Sequence, residues 1–143
     1  MELTGIPDYE VVDVWPTVLP LINRVLDMSN GDYTAEYILG RIVDGDYQLW
    51  VGYMDNGAVL YTCVTRLEYF EATNKTALLG MWIAGDNMSE WIDGLLAELE
   101  SWAIDVGADE MRCIGRPGWE RVLKADGYKK THTIFAKSLG VKQ

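Results

Sequence analysis

A chain of 143 residues that is 49% hydrophobic falls in the size range of one domain and can bury a core of its own. Its net charge of −10 argues against binding nucleic acid by neutralising phosphates. No apolar run approaches the roughly 18 residues that cross a bilayer, and the start MELTGIPDYE has neither a basic nor an apolar leader pattern, so a soluble, non-exported protein is expected.

Tyr9 to Val14 alternates as a first strand, and Val18, Leu19, Leu21, Ile22, Val25 and Leu26 follow at helical spacing. Pro16 and Pro20 suit the opening turn of that helix, where a missing N–H costs nothing. Thr34 to Val43 reads as a second helix, ending near Gly45. Tyr47–Tyr53 and Ala58–Tyr69 then read as two strands joined by Asp55-Asn56-Gly57, whose Asn-Gly pair predicts a type I′ turn. Asn74-Lys75 marks another reversal, and Thr76–Ala84 is a third strand of the meander.

Beyond it, Met88, Trp91, Ile92, Leu95, Leu96, Leu99, Trp102, Ala103 and Val106 make one apolar stripe along a long helix closed by Gly107. Met111–Ile114 is a short strand and Trp119–Ala125 a short helix stopped by Gly127, with Tyr128–Leu139 as a closing strand. The order predicts an α/β (α+β) domain over residues 1–143, with a mixed, mostly antiparallel central sheet and helices packed on both faces. Charge is uneven along it. Residues 1–110 carry 4 basic and 20 acidic side chains, against 8 and 2 in residues 111–143. Such asymmetry fits a basic contact face on an acidic body, or elements that pair their charges across the surface.

The element order, with Glu100-Ser101-Trp102-Ala103-Ile104-Asp105-Val106-Gly107-Ala108 ending the long helix and Leu123-Lys124-Ala125-Asp126-Gly127-Tyr128 before the last strand, resembles the GNAT superfamily of acyl-CoA N-acyltransferases. The resemblance covers nearly the whole chain and is most specific from Ala77 to Leu139. It implies that the strand before the long helix splays from its neighbour, that the pantetheine arm of acetyl-CoA pairs with it, and that the diphosphate sits on the helix N-terminus. In this sequence those contacts would fall on the backbone at Ile83, Ala84, Asn87, Met88 and Ser89.

The family marks that turn with Gln/Arg-x-x-Gly-x-Gly/Ala, which aligns with Asn87-Met88-Ser89-Glu90-Trp91-Ile92 and meets neither glycine. Glu90 and Ile92 are expected to fill the space that glycine leaves for phosphate. Asn87 and Glu90 have the spacing of a capping box, which with Asp86 would satisfy the helix dipole from within the chain. The resemblance also implies a tyrosine general acid in the last helix. That position is Leu123, which has no proton to give, and Tyr128 takes the place of a packing aromatic.

Glu68 and Glu71 are the candidates for a general base, with solvated carboxylates as the competing reading. Cys63 and Cys113 read as buried thiols, and His132 has no partners for a triad or a metal site. Arg116 and Trp119 are interface candidates, Trp119 also reading as a core cover.

The resulting expectation is a degenerate GNAT-like binding or assembly component. It would have no cofactor, no metal, no nucleic-acid or membrane ligand, an unidentified protein partner, and homo-oligomerisation left open. Small GNAT-like proteins with a G-R-x-G-W segment are similar to ones encoded among bacteriophage structural genes, which implies a place in the host cytoplasm or the virion. The alternative is an active acetyl-CoA-dependent N-acetyltransferase acting on a small amine or protein lysine, with Glu68 or Glu71 in its cleft. A third reading, an acidic mimic of nucleic acid, rests on the acidic first 110 residues.

Overall fold

The β-branched run near the start of the chain goes into a helix, and the first strand forms before it. In the computed structural model, which describes residues 2–28, 31–115 and 117–140, strand β1 is Glu2–Ile6 and helix α1 is Val11–Asp27. The expected strand at Tyr9–Val14 is thereby corrected. Val11, Trp15, Val18 and Ile22, spaced by four, three and four, are all buried, and this packing outweighs local β preference.

Pro16 and Pro20 lie inside α1, not at its opening turn. Both are exposed, as is Val12. The carbonyls of Val12 and Pro16, which lose their N–H partners, thus lie on the outer face of the helix where water can serve them. Helix α2 (Ala35–Val43) begins as the sequence predicts, with the Thr34 hydroxyl accepting from the Tyr37 N–H at 3.2 Å.

Strands β2 (Tyr47–Tyr53), β3 (Val59–Phe70), β4 (Lys75–Gly85) and β5 (Glu110–Cys113) complete one sheet in the order β1-β2-β3-β4-β5. Pairing is antiparallel up to β4, while β4 and β5 are parallel. That parallel step requires a crossover, supplied by helix α3 (Ile92–Asp105). The β2–β3 loop is not type I′, because Gly57 has φ 86° and Asn56 does not have positive φ. Asn56 instead accepts the Ala58 N–H through its side chain, in a three-residue loop closed by Met54 N–H to Ala58 at 2.8 Å.

Two apolar cores form, one on each face of the sheet. Helices α1 and α2 cover one around Val51, Val64, Leu79 and Trp82, while α3 and α4 (Glu120–Ala125) cover the other around Cys63, Leu78, Ile83 and Leu95. Among the described residues no helix is long and apolar enough to cross a membrane.

The expected closing strand at Tyr128–Leu139 does not form. From Lys129 on the segment is exposed, with Ile134, Phe135 and Leu139 at 88%, 92% and 94% exposure. A strand is stable only when another strand satisfies its backbone, and this segment makes no ladder within its own chain.

Candidate functional site

A surplus residue in β4 shifts its register against β3. The register joins Val64 to Trp82 but Thr65 to Gly80, so Met81 has no opposite number and both Met81 and Trp82 face the α1–α2 core. Such a bulge bends its strand. Strand β5 pairs with β4 only from Ala77 to Gly80, and the last contact is the Ile114 N–H donating to the Gly80 carbonyl at 2.9 Å. From Met81 to Gly85 the β5 side of β4 has no ladder partner.

Beyond the end of β5 lies a cleft of about 340 Å³. Ile83, Ala84 and Gly85 form one wall, Asp86, Asn87 and Met88 the end, and Arg24, Val25 and Met28 of α1 another side, with Trp91 and Trp119 completing it. Arg24 meets Asp86 at 3.3 Å, an exposed pair that contributes little to stability. The Trp91 indole N–H donates to the Asp86 carbonyl at 2.6 Å and fixes the turn.

The helix entry differs from the capping box expected. Asn87 is left-handed, at φ 57° and ψ 47°, and its side chain caps nothing. The Glu90 N–H donates to the Asn87 carbonyl at 2.9 Å and the Trp91 N–H to the Met88 carbonyl at 3.1 Å, closing a single 3₁₀ turn before α3 begins. A side-chain cap needs extended backbone at the capping residue, whereas asparagine is one of the few residues that tolerates the left-handed region.

The expected filling of the space is also corrected. Ile92 is 3% exposed in the α3 core, and Glu90 points to solvent without lining the cleft. Asp86 is the carboxylate that lines it, and Asp86 faces Arg24.

Of the backbone candidates, Ile83, Ala84, Asn87 and Met88 come together on this cleft, while Ser89 lies just outside its lining. Glu68 sits opposite Ala77, at the other end of the β4–β5 pairing from the cleft, where Arg66 holds it at 2.9 Å. Glu71 is exposed in the β3–β4 turn, so neither acid shares the cleft. Leu123 is partly buried against the α3 core, and its carbonyl accepts from the N–H groups of Asp126 and Tyr128.

The Tyr128 hydroxyl donates to Glu100 at 2.7 Å, and burial together with this carboxylate holds the phenol above its ordinary range. Burial pushes the Cys63 thiol well up and the Cys113 thiol up to about 12. Trp119 packs on the α3–α4 core and lines the cleft as well, while Arg116 lies outside the described residues. His132 is exposed, and among the described residues no cluster of His, Cys, Asp or Glu could hold a metal. Arg24 and Trp91 escaped the sequence reading as site residues. Arg24 borders the apolar stripe of α1 in its last turn, and nothing local ties it to a turn some sixty residues later in the chain.

No family model and no curated protein matches the sequence. Solved structures do. A probable acetyltransferase superposes with TM-score 0.73 at 13% identity, covering 100% of this chain and 99% of that one. An aminoglycoside acetyltransferase from an uncultured soil metagenomic sample, solved with sisomicin, gives 0.71 at 11% identity, covering 97% and 96%. A ribosomal-protein-alanine N-acetyltransferase from Brucella melitensis biovar Abortus 2308 gives 0.69 at 10%, covering 97% and 100%.

The fold is that of the GNAT acetyltransferases. At these identities the likeness carries the GNAT fold alone. Within it, β4 carries a bulge at Met81 and runs five residues past Gly80, its last pairing with β5.

Proposed function

We propose that the protein binds an acyl-CoA, acetyl-CoA in the simplest case, along the open edge of β4 and passes the acyl group to an amine. The observation that carries this reading is the stretch Met81–Gly85, open on its β5-side edge, beside a cleft that neither Glu90 nor Ile92 lines. Main-chain groups at Ile83 and Ala84 suit the amides of a pantetheine arm, as a strand edge suits any extended amide. Arg24 and the N–H groups at Met88 and Ser89, beside left-handed Asn87, suit a diphosphate. Bound there, the thioester would supply an activated acyl carbon.

The chain's own part in the reaction is to bind and orient. Among the described residues no histidine, cysteine or tyrosine lines the cleft, and acceleration would come from positioning more than from side-chain proton transfer. The acidic first 110 residues favour a cationic acceptor, such as a polyamine or a protein lysine. Calorimetry with acetyl-CoA tests the reading: saturable heat and thiol release with an added amine are expected, and silence at millimolar cofactor would overturn it.

One observation favours a second reading, a non-catalytic binding or assembly component serving a protein partner, in the host cytoplasm or a virion. It is the pairing of a glycine-free turn with Leu123 where the family's tyrosine would stand. Calorimetric silence in a folded protein is the result that would select it.

A further inference from the structure

A second groove, of about 250 Å³, lies at the β1 edge of the sheet and shares no lining residue with the cleft. Gly5 and Pro7 border it at the end of β1, Gln48 and Trp50 from β2, and Trp102 from α3. Trp50 and Trp102 meet edge to face, with centroids 5.3 Å apart and planes at 75°, and so form an aromatic corner. Gly5 is the cross-strand partner of Trp50, and its missing side chain leaves that ring its place: a Cβ there would stand 3.2 Å from it.

A buried relay fixes what Gln48 presents. The Trp50 indole can only donate, and it donates to the Thr65 hydroxyl at 3.0 Å. Thr65 has one proton of its own, which goes to Gln48 Oε1 at 2.8 Å. Gln48 therefore faces Thr65 with its oxygen and keeps its N–H groups for the groove. The side chains that line the groove thus offer donors and no uncommitted acceptor.

We propose that this groove docks a proline-rich segment of another protein, in the polyproline II conformation and flanked by arginine or lysine. A proline run carries carbonyl acceptors and no backbone N–H, which matches a groove of donors, and its rings pack on aromatic walls. The groove, at about 250 Å³, falls short of the roughly 300–1,000 Å³ clefts that enclose small molecules, and it suits a chain passing across the surface. Charge sets the flank. Asp8 follows Pro7, and Glu98 and Asp105 lie one helical turn to either side of Trp102; among the described residues none of the three makes an ion pair. Basic residues beside the prolines would complement them.

The test is calorimetry on the full chain with a synthetic run of prolines ending in two arginines. Saturable heat that weakens with salt is expected, and the same run ending in two glutamates should bind more weakly. Gln48→Met removes the N–H groups and Trp102→Leu the aromatic wall, and each should raise the Kd about tenfold. Circular dichroism checks the fold, and Gln48, half-buried at the sheet margin, carries the test should Trp102→Leu unfold. Absence of heat with the arginine peptide overturns the proposal. So does binding that a folded Gln48→Met variant leaves unchanged, equal binding of the glutamate peptide, or a preference for a glycine-serine peptide or an oligosaccharide.

Discussion

Tyr61 and Trp91 lie face to face, with ring centroids 4.1 Å apart and planes 7° from parallel. The stack joins β3 to the turn at the end of the cleft, because the Trp91 N–H holds the Asp86 carbonyl. It has room only because two flanking positions lack a side chain. A Cβ on Gly52 would stand 2.1 Å from the Tyr61 ring, and one on Gly85 would stand 2.5 Å from its Cβ and 2.8 Å from the Leu60 carbonyl.

Alanine at either glycine therefore overpacks the core, at a cost of about 1–3 kcal/mol. Urea unfolding should separate the two cases. Gly52→Ala meets only the ring, so its cost is expected to shrink in a Tyr61→Ala background. Gly85→Ala also meets backbone, and its cost is expected to persist there.

Arg24 is the cation of the proposed diphosphate site. Arg24→Gln should raise the Kd for acetyl-CoA about tenfold, the effect of losing one charge-assisted hydrogen bond. Asp86→Asn, which frees the guanidinium, should lower it. Calorimetry with a pantetheine thioester lacking the diphosphate should show neither change; equal effects on both ligands would remove Arg24 from that role.

Thr65 is fully buried, accepts from the Trp50 indole N–H at 3.0 Å and donates to Gln48 at 2.8 Å. Thr65→Val keeps the shape and leaves the Trp50 donor without a partner. A loss of about 1–3 kcal/mol in thermal or urea unfolding is expected, while Thr65→Ser, which keeps the hydroxyl, should recover most of it.

Both thiols stay protonated in the folded chain because burial raises them, Cys113 to about 12. In the unfolded chain a thiol ionises near pH ~8.5. Between those values the unfolded state has lost the proton and the folded state keeps it, so stability falls as pH rises, from about 8.5 upward. Below that window the thiols contribute no slope. Unfolding midpoints of wild type and of a Cys63→Ala/Cys113→Ala variant should therefore converge as pH rises through 9 to 11, on the order of 1 kcal/mol per unit for each thiol. Parallel curves would show that the thiols do not titrate differently in the two states.

The meander and α2 were legible in the sequence because local signals agree with packing there. Strand alternation and the reversals at Asp55-Asn56-Gly57 and Asn74-Lys75 mark the strand boundaries, the helix read from Thr34 to Val43 is displaced by one residue only, and β2 runs over Tyr47–Tyr53 as predicted. The start of the chain was not, because Glu2–Ile6 is a short edge strand whose only signal is its partner β2. Val11–Val14 misled for the opposite reason: β-branched residues entered a helix whose buried face is set by Trp15, Val18 and Ile22.

At the site, the resemblance put backbone contacts at Ile83, Ala84, Asn87, Met88 and Ser89; the first four line one cleft and Ser89 does not. The spacing of Asn87 and Glu90 did not reveal backbone conformation. A capping box and a left-handed asparagine share the same letters, and only φ separates them.

Met81 sets the parity of β4. Ala77, Leu79 and Met81 count off one side of the strand, after which Trp82, and not Ile83, falls on that same side. Remove the surplus residue and the count stays odd and even throughout. Trp82 would then take the place of Met81 on that side, still beside Tyr33 and Tyr47, and the strand would lose its bend. The bend of β4 ahead of the cleft thus rests on a miscount within a strand, and deleting one methionine would straighten it while leaving the residues of the walls in place.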